Sequence, residues 1–515
     1  MPNSNRQEPV FELIKSMSKA EKRNFKLYAT RLSGNQDAKF LMLFDVFDAL
    51  DEYDEGRILK KCPVKKEQLP NMKAHLYKQI LVSMRLLNTQ KNTGMQLREQ
   101  IDFAQILYNK GHYRQSFKLL EKAREIAAAH ECHMLELEII DFQKNIETLR
   151  IDRAMTDHSA QISREAERLC TTVSRTNELS NISVQLYGLY LKLGYVRSEK
   201  DLKLVTRYFK PRLDKYSRQK LSFTENIYYC QSRAWYNYIL HNFRISYRYA
   251  CKWIDLYEKM PHMKTAMYDN YLKGYSRLME GLFFMGKYRK YAEVFEKLSE
   301  EREAIAGINR NAATLYDMLY YYQLLNLHLF EGNFREGTRI IEKAEAFITD
   351  HADYIDLHHK MLFYYKFACM YFGNDDYRKC IDYLQRIIST RDPQVRRDLQ
   401  CYARILNLIA SYEAGIDYNI DYQIKAVYAF LVKMNDLHHV QQEMILFLKR
   451  LNTYYHSDFR QELKNLYERL LPYTSHPYER RTFYYLDIMA WLESKIKGTS
   501  VADIVRKKWE KAVAE

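Results

Sequence analysis

Residues 106–123 read ILYNKGHYRQSFKLLEKA, and this stretch decides the fold. An apolar segment ends at Gly111, an aromatic residue follows two positions later, and the small residue Ser116 comes three positions after that. Leu120 and Ala123 continue the pattern at helical spacing. Because glycine readily adopts the left-handed conformation that ends many helices, the stretch predicts two helices joined by a tight turn at Gly111.

The same pattern recurs along the chain. Its turns lie at positions 111, 193, 241, 286, 332 and 375, with a weaker turn at Ala414-Gly415-Ile416. The successive gaps between the first six are 82, 48, 45, 46 and 43 residues, and the first gap predicts a degenerate repeat near Asp152. Self-similarity at a nearly fixed spacing is typical of repeat proteins, here with about eight units of about 44 residues.

Each repeat predicts a closely packed helical hairpin. Three repeats carry alanine seven residues before the turn, at Ala104, Ala234 and Ala368, where a small side chain lets the two helices approach. The chain has 15 glycines and 9 prolines in 515 residues. A β-sandwich or barrel needs turn residues every ~8–12 positions, so this composition predicts an all-α fold.

The turn, the small residue and the apolar pair resemble the tetratricopeptide repeat (TPR), most closely in residues 97–130. The match covers roughly residues 97–430, although Tyr291 fills a position that the family keeps small, with Ala292 beside it. The resemblance implies a right-handed superhelical array of TPR-like hairpins, an α-solenoid that serves as a platform for partners. The opening LIKSMSKAEKRNFKLYA looks like the start of a group of bacterial TPR-like proteins, which implies no activity.

Three segments are expected: an N-terminal helical domain over 1–96, the hairpin array over 97–435, and a C-terminal helical cap over 436–515. The first residues are polar and predict no secretory signal, and no stretch reaches the ~20 apolar residues of a membrane span. The eight cysteines are scattered without a CxxC pair, which is typical of reduced thiols. We therefore expect a cytoplasmic protein.

Signatures of catalysis are missing from the sequence. It contains no glycine-rich phosphate loop, no H-E-x-x-H and no G-x-S-x-G. The pairs His358-His359 and His438-His439 point about 100° apart on a helix, which disfavours a shared metal ion. Cys132-His133 lacks a second ligand pair at zinc spacing. We expect a non-enzymatic protein with no metal and no cofactor.

Tyrosine is the most overused residue, with 44 copies. In a TPR array the first helix of each hairpin lines the concave face, and Tyr and Trp suit partner binding because they combine a large apolar surface with a polar tip. For any single tyrosine, packing between neighbouring hairpins is the alternative role. The partner-binding residues predicted on this face are Gln105, Tyr108, Tyr187, Tyr190, Gln231, Trp235, Tyr238, Tyr322, Asn326 and Tyr365.

The net charge of +15 is concentrated in residues 1–100 and 201–260. Residues 203–220 contain one acid, Asp214, and are interrupted by Pro211, which is expected to separate a helix end from a connector. The stretch reads either as a solvated helix end or as a patch that binds an acidic partner or nucleic-acid phosphates. Its basic residues are Lys203, Arg207, Lys210, Arg212, Lys215, Arg218 and Lys220.

The sequence therefore predicts a scaffold that holds a peptide or protein segment, acidic in character, on an aromatic concave face. The alternative is a nucleic-acid-associated regulator that uses residues 203–220 and the basic N-terminal helices. Salt dependence separates the two, because phosphate contacts weaken steeply as salt rises. The N-terminal cations concerned are Lys19, Lys22, Arg23, Lys26, Lys60, Lys61, Lys65 and Lys66.

Overall fold

The computed structural model describes residues 8–31, 37–62, 64–149, 158–390, 395–416, 420–434, 437–450, 456–485 and 487–514. Every regular element within these residues is a helix, which confirms the predicted all-α class. The chain divides into two compact units, Met1–Val173 and Ser174–Glu515, each with hydrophobic clusters of its own.

The first unit begins with a helix-capping interaction that the sequence indicates. The N–H of Glu21 donates to Ser18 Oγ at 3.2 Å, and the N–H of Ser18 donates to Glu21 Oε2 at 2.7 Å. The helices of this unit are α1 (Pro9–Ser16), α2 (Lys19–Arg31), α3 (Asp37–Ala49), α4 (Glu55–Lys61), α5 (Leu69–Asn88), α6 (Thr93–Asn109), α7 (Tyr113–Ala129), α8 (His133–Glu147) and the start of α9 (His158–Leu193).

The second unit continues from within α9. Its helices are α10 (Glu199–Asp214), α11 (Phe223–Ile239), α12 (Phe243–Lys259), α13 (His262–Ala266), α14 (Tyr268–Phe284), α15 (Tyr288–Glu300), α16 (Arg302–Ala306), α17 (Arg310–Glu331), α18 (Phe334–Asp350), α19 (Leu357–Gly373), α20 (Tyr377–Ile388), α21 (Arg397–Glu413), α22 (Ile420–Lys433), α23 (His439–Arg450), α24 (His456–Leu470), α25 (Thr482–Tyr485), α26 (Ile488–Lys497) and α27 (Val501–Ala514). Two 3₁₀ helices, Leu471–Thr474 and Glu479–Arg481, lie between α24 and α25.

The predicted turns are confirmed by the backbone. Each separates two consecutive helices and contains one residue with a positive φ, as a tight helix exit requires. These residues are Gly111, Gly194, His241, Gly286, Gly332, Asp375 and Gly415. Glu131, between α7 and α8, has φ 54° and marks a further turn that the pattern did not indicate. The repeat expected near Asp152 lies outside the described residues.

Small residues after the turns allow the two helices of a hairpin to touch. Ser116 on α7 is fully buried, and its Oγ donates to the Ala104 carbonyl on α6 at 2.8 Å. Gly337 on α18 instead allows the helix that follows, α19, to approach, because a Cβ at this position would overlap the sulfur of Met370. Tyr291 fills its position by reaching across to α17, where its hydroxyl donates to the Gln323 carbonyl at 2.9 Å.

The observed division differs from the expected boundaries at 96 and 435. The first half of α9 packs in the first unit through Ile162 and Leu169, whereas Ile182 and Leu186 of its second half belong to a cluster of the second unit. The 36-residue helix therefore contributes to both cores, and the division falls inside it rather than between two repeats.

The helices of the expected C-terminal cap, α23 to α27, pack within the second unit. Trp491 of α26 belongs to the same core as Leu325 of α17, and α27 packs against α15 and α17. A Cβ on Gly332 would lie 2.8 Å from the Ala502 carbonyl oxygen, so α27 rests directly on that turn. Ala502 and Val505 are the apolar residues of α27 that lie on this turn, and both pack against the core.

Candidate functional site

A cavity of about 400 Å³ lies within the second unit. Its wall consists mainly of α9, α11, α14, α17, α19 and α21. Each of these helices precedes the turn of one repeat, so each successive hairpin contributes its first helix to the lining. This is the helix that the TPR resemblance assigned to partner binding.

The wall of the cavity closes on itself. The backbone N–H of Arg396, immediately before α21, donates to the Leu191 carbonyl near the end of α9 at 3.3 Å. The rings of Tyr187 and Tyr190 on α9 also meet the edge of His358 on α19, with centroids 6.4 and 6.3 Å apart. The two ends of the circuit, α9 and the start of α21, are thus in contact.

Seven of the ten predicted partner-binding residues line this cavity, which brings together side chains from four repeats. They are Tyr187, Tyr190, Gln231, Trp235, Tyr238, Tyr322 and Tyr365. Their binding role stays a prediction, since a position in the wall does not by itself identify a ligand.

The other three predicted residues lie elsewhere. Gln105 is exposed in the first unit and donates to Asn109 on its own helix at 2.9 Å, and Tyr108 packs against Phe142. Asn326 is buried and donates from Nδ2 to Gln323 Oε1 at 3.0 Å. The expectation that Asn326 faces the groove is wrong, because this side of α17 packs against the preceding hairpin.

The aromatic side chains form one continuous layer. The ring of Trp235 lies 5.0 Å from Tyr190 and 5.3 Å from Tyr187, and the hydroxyl of Tyr195 donates to Tyr238 Oη at 2.9 Å. Burial raises the pKa of Tyr187 to about 12, and it raises the pKa of Tyr190 and of Tyr238 as well. The layer therefore carries no negative charge near neutral pH.

A buried arginine stacks on this layer. The Arg277 guanidinium carbon lies 3.7 Å from the ring centroid of Trp235 and 4.1 Å from that of Tyr238. Its Nη1 donates to Glu280 Oε2 at 2.7 Å, one helical turn along α14. Stacking together with an ion pair compensates for the desolvation of the guanidinium.

A second buried pair lies where the wall closes. Arg396 Nε and Nη2 donate to the two carboxylate oxygens of Asp398 at 2.9 and 3.0 Å, and both side chains are at most 2% exposed. The Arg396 guanidinium also lies 5.0 Å from the Tyr190 ring centroid. Burial and the neighbouring Arg396 lower the pKa of His358 to about 2, so that its imidazole stays neutral.

Lys366 on α19 is a further cation in the lining. Its Nζ lies 4.6 Å from the ring centroid of Phe283 and 5.8 Å from that of Tyr322. Within the described residues it makes no ion pair or hydrogen bond. Burial lowers the pKa of Lys366 to about 8. Lys366 was not among the residues predicted from the sequence, although an isolated lysine in the apolar stretch 361–372 was a usable signal.

The basic stretch 203–220 lies on the surface of the second unit. The expected break at Pro211 is wrong: α10 continues to Asp214, because a proline in the last turn removes only one donor. Lys203 and Lys215 form ion pairs of 2.7 Å with Glu199 and Glu178. Arg212 donates to Gln185, whereas four exposed cations make no ion pair within the described ranges: Arg207, Lys210, Arg218 and Lys220.

No group of three or more His, Cys, Asp or Glu side chains in the described ranges is arranged to hold a metal ion. None of the helices in these ranges combines the length and the hydropathy that crossing a bilayer demands. In the first unit, His133 Nε2 instead pairs with Glu131 at 3.1 Å.

No family model matches the chain, and no curated protein matches it. Among solved structures, it is similar to a Signal Transduction ATPase with Numerous Domains (STAND) protein with a tetratricopeptide repeat sensor from Pyrococcus horikoshii. The identity is 14%, the match covers 84% of this chain and 67% of that one, and the TM-score is 0.35.

Proposed function

We propose that this protein is a non-enzymatic, cytoplasmic interaction module whose second unit holds a segment of a partner protein in the aromatic cavity. The observation that supports the proposal best is the lining itself. Consecutive repeats each contribute the helix before the turn, and these helices bring Tyr187, Trp235 and Tyr322 onto one wall. Residues 48 and 87 positions apart in sequence thus line a single cavity.

The dimensions and chemistry of the cavity suit a small part of a ligand. Cavities of roughly 300–1,000 Å³ hold drug-sized molecules, so about 400 Å³ accommodates a short segment rather than a domain. Tyrosine and tryptophan bury large areas with little loss of side-chain entropy and therefore anchor partners well. Gln231 Oε1 is buried without a hydrogen-bond partner and can accept an N–H from a ligand backbone.

The test is to fill the cavity without removing any of its aromatic residues. Ser276 lines the cavity, is partly exposed, and makes no hydrogen bond within the described residues. Ser276→Trp is expected to block entry, whereas Ser389→Trp, at an exposed position after α20, is the matched control.

Both variants and the wild type are used for affinity capture from native lysate, with quantitative mass spectrometry of the captured proteins. A partner of the cavity is depleted by Ser276→Trp and retained by Ser389→Trp. Its capture also persists between about 50 and 200 mM salt, since aromatic anchoring is not a counterion effect. If both variants capture the same set as wild type, the proposal is wrong.

The second candidate function is nucleic-acid binding through residues 203–220. It is favoured by the four exposed cations without ion pairs in the described part of the chain. Binding of a random duplex should then fall steeply between about 50 and 200 mM salt, and Lys210→Gln with Arg218→Gln should reduce the salt slope by about two. Binding that ignores both changes excludes this candidate.

A further inference from the structure

We propose that the group entering the cavity is a single carboxylate attached to an aromatic or aliphatic body, with Lys366 as its counter-ion. The inference rests on the proposed function, because it concerns the ligand of the same cavity. A free organic acid and the carboxylate of a peptide share this chemistry, and the experiment below separates the two sources.

The charged side chains of the cavity lining, apart from Lys366, have partners. Asp269 pairs with Lys273 at 3.2 Å, Arg277 with Glu280 at 2.7 Å, and Arg396 with Asp398. The remaining lining residues that can carry charge are His358, which is neutral, and His359, which contacts Asp356 at 2.9 Å. Among the described lining residues, Lys366 is therefore the cation without an ion pair of its own; Glu280 acts on it only from a distance, because its carboxylate pairs with Arg277.

The ammonium group of Lys366 lies over the rings of Phe283 and Tyr322, and these ring faces replace only part of its lost hydration. Holding a charge away from water without a counter-ion costs free energy, and binding of an anion would reduce that cost. The pKa of about 8 leaves the ammonium mostly protonated at pH 7, so the site is positive before a ligand arrives.

The lining also restricts which kind of anion can bind beside Lys366. Phosphates favour forked arginine contacts or free backbone N–H groups at helix N-termini. Here both buried arginines already bind carboxylates, and Glu280 disfavours a second negative charge close to Lys366. The aromatic wall requires an apolar group beside the anion. A monocarboxylate with an apolar body satisfies all three conditions.

The test uses three probes: N-acetylphenylalanine, its neutral C-terminal amide, and 3-phenylpropionate. Binding to the full chain is measured at pH 7 by saturation-transfer NMR and by tryptophan fluorescence. N-acetylphenylalanine should bind at least about tenfold more tightly than its amide, and this preference should fall about tenfold between pH 7 and pH 9 as Lys366 loses its proton.

Lys366→Met should abolish the preference for the acid, and Lys366→Arg should retain it. Lys360→Met is the matched control, because Lys360 lies on the same helix with its Nζ donating to the Ala352 carbonyl outside the cavity. If 3-phenylpropionate equals N-acetylphenylalanine, a free acid suffices. If it binds more weakly, the N–H contact to Gln231 identifies a peptide. Both results support the shared chemistry.

Three results would overturn the inference: equal binding of acid and amide, a preference that survives in Lys366→Met, or no binding of any probe. The proposed function fails separately. A partner that Ser276→Trp loses but Lys366→Met retains would leave the proposed function intact and contradict this inference. If the acid binds selectively but no captured partner depends on the cavity, this inference is supported and the proposed function is contradicted.

Discussion

The hydroxyl of Ser246 on α12 donates a 2.9 Å hydrogen bond to the backbone carbonyl of Ala234 on α11. Ser116 and Ala104 form the same bond at 2.8 Å in the first unit. In both hairpins the serine lies five residues after the positive-φ residue of the turn and the alanine seven residues before it. One short motif thus sets both the turn and the distance between the two helices.

Replacing Ser246 should separate the contribution of the hydrogen bond from that of size. Ser246→Ala keeps the helices close and loses one buried bond, so the free energy of unfolding should fall by about 1 kcal/mol. Ser246→Val adds volume at a fully buried contact and should lower it by about 1–3 kcal/mol more. Urea denaturation followed by circular dichroism measures both. Equal effects would show that close approach is not required there.

Such local motifs explain how much of the fold was predictable. A turn needs only a few neighbouring residues, so the sequence located Gly111, Gly286 and Gly332 correctly. It also placed turns at His241 and Asp375, where a positive φ occurs without glycine. The return of α27 onto Gly332 was not predictable, because the contact joins residues about 170 positions apart and leaves no periodic signal.

Lys366 should reduce the stability of the ligand-free protein. Its pKa falls from 10.5 to about 8, so the penalty for burying the charge is complete below pH 8 and disappears as pH rises through 10.5. Lys366→Met should therefore raise the free energy of unfolding by up to about 3 kcal/mol at pH 7, and by little above pH 10.5. Thermal unfolding at pH 7 and 10.5, with Lys360→Met as control, measures the difference. A destabilised Lys366→Met would show that the charge is compensated.

Asp398 should stabilise the contact that closes the cavity wall, because it pairs with Arg396. Asp398→Asn removes the carboxylate charge that faces the buried Arg396, and loss of one partner of a buried ion pair typically lowers the free energy of unfolding by about 3–5 kcal/mol. The double variant Arg396→Met/Asp398→Leu removes both charges and should recover most of that loss. Chemical denaturation of the three proteins provides the comparison. If the double variant is as unstable as Asp398→Asn, the loss comes from packing rather than from the unpaired charge.

His133 should make the first unit sensitive to pH. The hydrogen bond between His133 and the Glu131 carboxylate, together with the Glu136 carboxylate 3.6 Å away, raises the pKa of His133 to about 9 in the folded state, against 6.5 unfolded. The resulting stabilisation, about 3 kcal/mol, is complete below pH 6.5 and is lost as pH rises through 9. His133→Gln should therefore be destabilising at pH 6 and nearly neutral at pH 10. Denaturation midpoints at the two pH values test this, and a pH-independent difference would contradict it.

The site was predicted less completely than the fold, for a physical reason. Helical spacing identified the aromatic residues of the wall, because they lie about three, six or ten residues before their turns and so share one face of each helix. Arg277, Lys366 and Arg396 were missed, since a charge in an apolar helix is informative only when its three-dimensional neighbours are known. Arg396 in particular acquires its role from Leu191 and Tyr190, about 200 residues earlier.

The contact between Arg396 and Leu191 also limits how this chain can change its length. An open array tolerates the gain or loss of a hairpin, because each unit needs only its neighbours. In a circuit whose ends must meet, every hairpin between α9 and α21 is one segment of a fixed circumference. Duplication or deletion of a single hairpin would leave the two ends out of register, so variation in repeat number is restricted to positions outside the circuit.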